Sequence, residues 1–340
     1  MYFLHEKNKS ARVIYSMIAV ILSLSFLLVY GRNKDMYTLS DGVKYIKWVD
    51  FNVSSEALSD AARLDIKAHE EGKNVSFSSL LAYLGAKYGG SFKGYKKSDL
   101  TYAYEKLSSD EHVFDDMKFY LYYKEAYGAV VDGMIGEYGV YEEKEGRYDY
   151  TIKYGVKAFS PFAAGYYYND YDDFGASRTY GYARSHLGHD MLGSVGTPII
   201  AIESGYVECV GWNQYGGWRI GIRSFDGKRY YYYAHLRRGH PYNDMYEGKI
   251  VTAGEVIGYL GMTGYSAKED TNNTNNINIP HLHVGLQLIF NEVQKDGSNQ
   301  IWIDMYELVK FLAPYRSKVY RGDDGEYHAV NPITDFNIPD

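Results

Sequence analysis

The sequence predicts an α+β protein of several parts: an N-terminal transmembrane helix, a mainly helical middle region, and a C-terminal domain built on an antiparallel β-sheet or sandwich. An uncharged apolar run lies close to the N-terminus. Helical spacing of apolar residues then dominates to about residue 141. Beyond residue 155, glycine recurs every few residues between runs of tyrosine and β-branched residues, which is typical of short strands and tight turns.

Composition limits the classes of protein to consider. The chain has 340 residues, enough for about two folded units. Its 36 Lys and Arg against 43 Asp and Glu give a net charge of −7. This balance argues against a general nucleic-acid coat, which needs a cationic face toward the phosphates, so no nucleic-acid partner is expected. Cys209 is the single cysteine, which excludes a disulfide within the chain and a cysteine-based metal site.

The apolar run at residues 13–30 (VIYSMIAVILSLSFLLVY) is 18 residues long, just enough to cross a bilayer as a helix. Lys7, Lys9 and Arg12 precede it, and no small-x-small cleavage site follows it. We therefore expect a cytoplasmic tail (1–12), a transmembrane signal anchor (13–30), and a single-pass protein of the cell membrane with the rest of the chain extracytoplasmic. The alternative, a buried core helix, fits the cationic flanks less well.

Residues 31–150 are expected to form a mainly helical region that ends in a linker. Apolar residues at helical spacing predict helices over about 54–72, 78–90 and 111–131, with serine caps at the start of the first two and glycines at their ends. The charged stretch 142–147 (EEKEGR) predicts a boundary or linker.

The second folded part is expected over residues 151–315. Glycine-punctuated strand patterns run from about residue 155 to 290 and predict an antiparallel sheet or sandwich. Residues 301–312 predict a closing helix. The last residues, 316–340, read as a loose C-terminal tail.

Six of the ten histidines lie in this glycine-rich half, in three separate pieces of sequence. In the piece at residues 280–288, alternate residues of a strand would share a face. Leu282 and Val284 would then point into a core, while His281 and His283 point the other way. Two imidazoles on one strand face suit a metal site, although two solvent-exposed histidines are the alternative.

The other two histidine-containing pieces become stronger candidates for a metal site when they are combined with this one. His186 and Asp190 are four residues apart around a glycine, so a turn could bring one nitrogen and one oxygen ligand to a metal. A simple hydrogen-bonded pair is the alternative. In the piece at 230–236, Tyr231, Tyr233 and His235 would share one face of a strand.

Between about residues 175 and 290 the sequence resembles the LytM/lysostaphin-type zinc endopeptidases, a family of peptidoglycan hydrolases with a duplicated-hybrid-motif-like β fold. The resemblance rests on motifs in the family's order: H-x-G-x-D at 186–190, GTPIIA at 196–201, YAHL at 233–236, VTAGEVIG at 251–258, GMTGYS at 261–266 and H-x-H at 281–283. It does not cover the first 150 residues.

The resemblance implies one zinc ion in the domain, held by His186, Asp190 and His283. It makes His235 and His281 the two catalytic histidines that do not bind the metal. Three protein ligands leave a coordination position open, where bound water becomes a nucleophile.

The implied activity is hydrolysis of peptide cross-links or stem peptides of bacterial peptidoglycan, with peptidoglycan peptides as substrates. Tyr180, six residues before the first ligand, falls where family members often have a transition-state tyrosine, and Arg178 could do similar work. The sequence leaves open which bond is cleaved. The alternative function is a catalytically silent or latched scaffold that binds a cell-envelope partner or regulates another wall hydrolase. The helical region is where such a protein partner would bind.

One feature departs from the family pattern, and a second feature lies upstream of the first motif. The polar insertion at 268–279 is predicted to form one wall of the substrate groove. In the segment 165–173, Asn169 or a nearby aspartate could act as a latch over the metal, and an aromatic strand lining the groove is the alternative.

Overall fold

The computed structural model describes residues 36–40, 42–180, 182–273 and 279–339. The apolar run at 13–30 lies outside these residues, so the signal anchor stays a prediction. Within the described part, no helix has both the length and the apolar character needed to span a bilayer. The chain divides into two compact units between Val49 and Asp50, and the first contains a hairpin of strands β1 (Tyr37–Ser40) and β2 (Val43–Ile46).

The helical middle region predicted from the sequence is present. The helices of the described residues are α1 (Ser55–Glu70), α2 (Phe77–Tyr88), α3 (Lys97–Leu107), α4 (Tyr120–Val131) and, near the C-terminus, α5 (Tyr306–Leu312). Ser54 caps α1 by accepting the N–H of Ala57. Helix α2 begins earlier than the sequence suggested, because Ser76 rather than Ser78 forms a capping box, with Ser79.

Two helices differ from expectation. The long helix expected over 111–131 begins only at Tyr120, because Phe119 has a left-handed φ of 68° that an α-helix does not include. Helix α3 was not expected, and its N-cap residue, Lys96, makes no side-chain capping bond. The sequence signals for where these two helices start are therefore weak, because neither N-cap residue makes a side-chain capping bond.

Most of the second half is β structure. The strands after β2 are β3 (Ile135–Lys144), β4 (Arg147–Val156), β5 (Asn169–Asp170), β6 (Ser177–Tyr180), β7 (Tyr182–Ser185), β8 (His189–Leu192), β9 (Pro198–Ile200), β10 (Gly205–Asn213), β11 (Gly217–Ser224), β12 (Arg229–Ala234), β13 (Ile250–Val251), β14 (Val256–Tyr259), β15 (His281–Leu288), β16 (Ile301–Ile303), β17 (Val319–Arg321), β18 (Tyr327–Ala329) and β19 (Ile333–Asp335). Eight strands form one sheet in the order β13-β10-β11-β12-β15-β8-β5, with β16 also paired to β15. All its pairs are antiparallel, which confirms the predicted antiparallel β domain.

The central strands of this sheet have one core face and one cleft face. Tyr231, Val284 and Leu286 are fully buried on the core face. Tyr232 and His283 lie on the other face, as the two-residue period of a strand requires. This second face carries the candidate site.

Three stretches differ from the sequence-based expectation. They are the predicted linker, the predicted C-terminal tail and the predicted closing helix. Residues 142–147 are the end of a β3–β4 hairpin, whose turn residues Glu145 and Gly146 have φ of 52° and 76°. Residues 316–340 are not a loose tail, because β17 pairs with β18 and β19 pairs with β3. Residues 301–303 join the sheet as β16, and only Tyr306–Leu312 is helical.

Helices and sheet pack together from Asp50 onward as one compact unit. Arg229 of β12 is buried, and its Nε donates to Glu203 at 2.7 Å while its Nη1 donates to the Ala129 carbonyl of α4 at 2.9 Å. The Tyr231 hydroxyl also donates to Glu203, at 2.8 Å. A buried ion pair with these extra hydrogen bonds ties the helical region to the core face of the sheet.

Candidate metal centre

Strands β8 and β15 bring two of the predicted ligands together, because Asp190 lies directly opposite His283 in their register. His186 enters from the turn between β7 and β8. Oδ1 of Asp190 lies 2.9 Å from Nδ1 of His283 and 3.1 Å from Nε2 of His186, and the two nitrogens are 3.0 Å apart. Among the described residues, these three side chains are a group that could hold one metal ion.

Asp173 determines which nitrogen of His186 faces this group. Its Oδ1 and its main-chain oxygen lie 3.1 Å and 3.4 Å from Nδ1 of His186. Since the carbonyl and the ionised carboxylate can only accept, Nδ1 carries the hydrogen and Nε2 presents a lone pair to the group. Two imidazole nitrogens and a carboxylate oxygen this close together require a shared cation or proton, and they are a donor set that zinc accepts.

Burial and mutual contact set the ionisation of the three groups. Burial would raise the pKa of Asp190, but its contacts with His186 and His283 outweigh burial and hold that pKa well below the ordinary value. Burial lowers the pKa of His283. Burial also acts to lower the pKa of His186, yet the Asp190 and Asp173 carboxylates outweigh it and the pKa is raised. The site therefore stabilises positive charge.

His235 reaches the same cleft through an unusual backbone conformation. Strand alternation predicted a face shared with Tyr231 and Tyr233. That expectation is wrong, because β12 ends at Ala234 and His235 has a left-handed φ of 61°, which turns its ring toward the cleft. The His235 N–H donates to the Gly216 carbonyl at 2.7 Å.

His235 and His281 form a second pair of imidazoles beside the first group. Their ring centroids are 4.6 Å apart, and the His235 ring is 6.1 Å from the His283 ring. Nδ1 of His235 donates to the Thr263 carbonyl at 2.7 Å, and Nδ1 of His281 donates to the Ile279 carbonyl at 2.9 Å. Each ring thus leaves Nε2 as a proton acceptor. Burial, with the nearby histidines, holds the pKa of His235 well below its ordinary value, so this ring is neutral.

The two remaining predicted residues lie on strand β6. The Arg178 guanidinium forms an ion pair with Asp173 and lies 3.7 Å from Oδ2 of Asp190, so it is beside the candidate ligands. Tyr180 ends the strand, but its side chain lies outside the described part of the structure, and its role stays a prediction.

A cleft of about 540 Å³ runs along the sheet face that carries these groups. Its lining near the histidines includes Arg184, Tyr215 and Tyr265, and its far end includes Glu208 and Arg223. Sequence reasoning did not single out any of these, nor the supporting role of Asp173. Tyr265 lies within the quoted GMTGYS motif and was detectable there, whereas no spacing rule connects Asp173 to a histidine thirteen residues later.

The segment before the site contains the short edge strand β5, and its role as a latch stays a prediction. Asn169 is exposed, and its side chain donates to the Tyr171 hydroxyl at 3.2 Å. Its neighbour Asp170 lies 3.0 Å from Nε2 of the buried His189. Strand β5 pairs with β8 at the edge of the sheet.

The insertion at 268–279 is described only in part, since residues 274–278 lie outside the described residues. Asp270 accepts hydrogen bonds from the Trp218 indole at 2.9 Å and from the Gly239 N–H at 2.8 Å. These contacts fix the first half of the insertion against the start of β11. Its role as a groove wall stays a prediction.

Comparison with known proteins gives three findings. Residues 184–296 match the model of Peptidase family M23. The L-Ala–D-Glu endopeptidase of Bacillus subtilis (strain 168) is 37% identical over 139 residues, which are 40% of this chain and 39% of that protein. Lysostaphin of Staphylococcus simulans is 39% identical over 99 residues, 29% of this chain and 17% of that protein. The chain thus spans less than half the length of these relatives.

One solved structure has a similar fold over most of the chain. It is the crystal structure of a lytM protein from Ruminococcus gnavus, with a TM-score of 0.50, 22% sequence identity, and coverage of 80% of this chain and 92% of that one. The family match covers every residue of the candidate metal group and both neighbouring histidines. Residues 184–296 therefore form a domain of Peptidase family M23, similar in sequence to the L-Ala–D-Glu endopeptidase and lysostaphin.

Proposed function

We propose that this protein is a zinc-dependent endopeptidase that hydrolyses peptide bonds of bacterial peptidoglycan. The observation that carries the proposal is one constellation of five side chains beside a cleft: a group of three with metal-ligand chemistry, and two further imidazoles next to it. Relatives named for cutting L-Ala–D-Glu and glycyl-glycine bonds support peptidoglycan peptides as the substrate.

His186, Asp190 and His283 would hold the zinc ion, through the three atoms that face one another at 2.9–3.1 Å. Zinc bound there would act as a Lewis acid, which makes water more acidic and a peptide carbonyl more electrophilic. Asp173 orients His186 by accepting from its Nδ1, and Arg178 holds Asp173 in place.

The two other histidines would move the proton. Nε2 of His235 and Nε2 of His281 are the unprotonated nitrogens, because each ring donates its Nδ1 hydrogen to a carbonyl. One of them accepts the proton of the attacking water and returns it to the leaving amine, as general base and then general acid. Stabilisation of the charge that develops on the scissile carbonyl oxygen would come from the Lewis acid, because an imidazole with an unprotonated Nε2 has no hydrogen to donate there.

The test compares zinc content and cleavage in the full-length protein and three histidine variants. We expect His283→Ala to lose both zinc and the release of peptides from purified peptidoglycan. We expect His281→Ala to keep zinc and to lose activity by about 10²–10⁴-fold, because it removes only proton transfer. His240→Ala, a half-exposed histidine outside the cleft, is the control and should match the wild type.

The outcome that contradicts the proposal is zinc bound by the wild type without cleavage of any wall preparation. That result would favour a silent or latched scaffold for a cell-envelope partner. Loss of zinc from His281→Ala would instead contradict the division between metal ligands and catalytic histidines.

We also propose that residues 13–30 anchor the protein in the cell membrane, with the rest of the chain outside the cytoplasm and residues 31–150 available to a cell-envelope partner. The apolar run and its cationic flank support this arrangement. Protease added to intact wall-free cells should digest the domain, and protection of the domain until the cells are lysed would contradict this proposal.

A further inference from the structure

Two arginines lie side by side at the metal end of the cleft. Arg178 of β6 and Arg184 of β7 are directly opposite each other in their hairpin, and both line the cleft. Like charges in this position destabilise a strand pair unless each has a counter-charge. Arg178 has one, since it forms an ion pair with Asp173 and lies near Asp190.

Arg184 has no such counter-charge in the described part of the chain. The hydrogen bond of its side chain runs from Nη2 to the Tyr265 hydroxyl, at 2.8 Å. Within the described residues, no carboxylate oxygen lies within 4.0 Å of its guanidinium nitrogens. Residues 274–278, which are not described, contain no acidic residue. Among the residues that the structure describes, Arg184 is therefore a cation without a carboxylate partner on a substrate-sized cleft.

The guanidinium of Arg184 is held in place by aromatic rings. Its central carbon lies 5.1 Å from the ring centroid of Tyr215 and 5.2 Å from that of Tyr265. Such cation–π contacts restrain the side chain without neutralising it. The planar fork of an arginine binds a carboxylate through two parallel hydrogen bonds, so the structure presents a preformed carboxylate receptor.

This receptor lies close to the proposed reaction centre. Arg184 precedes the candidate ligand His186 by two residues, about 7 Å along an extended chain. The Tyr265 ring that restrains Arg184 also stacks on the His235 ring, with centroids 5.5 Å apart. A carboxylate bound by Arg184 would therefore belong to a residue next to the scissile bond or one residue further.

We propose that Arg184 selects an anionic stem peptide, one with a free carboxylate beside the scissile bond, over a neutral glycine bridge. This inference rests on the proposed function and narrows its substrate class. The matched relatives include enzymes named for each kind of bond, L-Ala–D-Glu and glycyl-glycine, so the family match alone leaves the choice open.

The experiment uses three synthetic peptides. The first is L-Ala–D-Glu–L-Lys–D-Ala, joined through the D-Glu side chain so that its α-carboxylate is free; the second has that carboxylate amidated; the third is pentaglycine. Binding to full-length, zinc-loaded His281→Ala protein is measured by calorimetry, and kcat/KM is measured with the otherwise wild-type chain. We expect the free-carboxylate peptide to be favoured by about 10–100-fold in both measurements, the size of a charged hydrogen bond.

Variants at Arg184 separate recognition from folding. Arg184→Gln should lower binding and kcat/KM for the free-carboxylate peptide by about 10–100-fold and leave the amidated peptide unchanged, so the preference disappears. Arg184→Lys should retain part of the preference, because it keeps the charge and loses the fork. Arg237→Gln is the matched control, since Arg237 also lies over a tyrosine ring, Tyr259, but outside the cleft lining.

Equal binding of the free and amidated peptides, or a preference that survives Arg184→Gln, would overturn the inference. If Arg184 had only a structural role, Arg184→Gln would lower binding and kcat/KM for both the free and the amidated peptide. That outcome would also overturn the inference. Selective binding without cleavage of any peptide would leave carboxylate recognition standing and would contradict the proposed hydrolase.

Discussion

At the scale of single residues, the site depends on oxygen atoms that accept a hydrogen bond from the Nδ1–H group of each of three histidines. Asp173 accepts from His186, and main-chain carbonyls accept from His235 and His281. Each such bond fixes one tautomer, so the opposite nitrogen keeps its lone pair for a metal or a proton. The histidines therefore differ in proposed function because their hydrogen-bond partners differ, although their side chains are chemically identical.

Asp173 offers the sharpest test of this view. Asp173→Ala should weaken zinc binding by about 10–100-fold, the usual effect of losing the partner that orients a ligand histidine. Competition for zinc with a chromophoric chelator measures the change. Asp172→Ala is the matched control, because this neighbouring acid is more exposed and the contacts of His186 Nδ1 are with Asp173. Equal zinc affinity in both variants would show that Asp173 does not orient His186.

The resemblance to the family's H-x-G-x-D and H-x-H motifs predicted the side chains of the group, His186, Asp190 and His283, but not their supports. Spacing alone left a simple His–Asp pair and two solvent-exposed histidines as alternatives. Asp173 comes from a different strand connection, and the cleft-facing ring of His235 depends on one left-handed residue. Neither follows from alternation or spacing, because both depend on tertiary contacts.

At the scale of elements, the turn between β10 and β11 positions His235. The Gly216 carbonyl accepts the His235 N–H, and Thr263 supplies the carbonyl for its ring. Gly217 lies between these two supports with a φ of 64°, and a Cβ atom there would come within 2.4 Å of the main-chain carbon of Thr263. The backbone approach of this turn to residue 263 therefore requires glycine.

We expect Gly217→Ala to lower both stability and activity. The side chain would push against backbone atoms that hold His235, so unfolding should become easier by about 2 kcal/mol or more and kcat should fall about tenfold. Gly227→Ala is the control, because Gly227 also has a positive φ, 75°, but a Cβ there meets open space. It should lose about 1 kcal/mol and no activity. Equal effects of the two substitutions on kcat would refute a positioning role for this turn.

Secondary structure was predictable where the pattern was local and complete. The antiparallel sheet and helices α1 and α2 followed from alternation, caps and glycine stops. The turn of the β3–β4 hairpin has the charged composition of a linker, so the sequence pattern predicts a linker there. Strand β3 also pairs with β19, and this pairing joins residues nearly two hundred positions apart. Long-range pairing of this kind leaves no mark in a short window of sequence.

At the scale of the whole molecule, a buried ion pair joins the end of the chain to its middle. Nζ of Lys157, just after β4, lies 2.6 Å from Oδ1 of Asp335 on β19, and both side chains are 3% exposed. Ser204 and the Asn337 N–H also bond to this carboxylate. The pair holds the last strand against the body of the domain, so residues near the C-terminus contribute to its stability.

Removal of this carboxylate should destabilise the domain in a pH-dependent way. Burial would raise the pKa of Asp335, but Lys157 and the other hydrogen bonds outweigh it and lower that pKa below its ordinary value of 3.8. A carboxyl whose pKa is lower in the folded state contributes stability above its unfolded pKa, and it loses that contribution as the pH falls through the folded pKa. Asp335→Asn should therefore lower the free energy of unfolding by about 3–5 kcal/mol at pH 7, because Lys157 stays buried without its partner, and the deficit should shrink below about pH 4. Urea unfolding from pH 7 to pH 3 measures the difference, with exposed Asp323→Asn as the control. A deficit that is constant over this range would mean that β19 is held by packing and not by the ion pair.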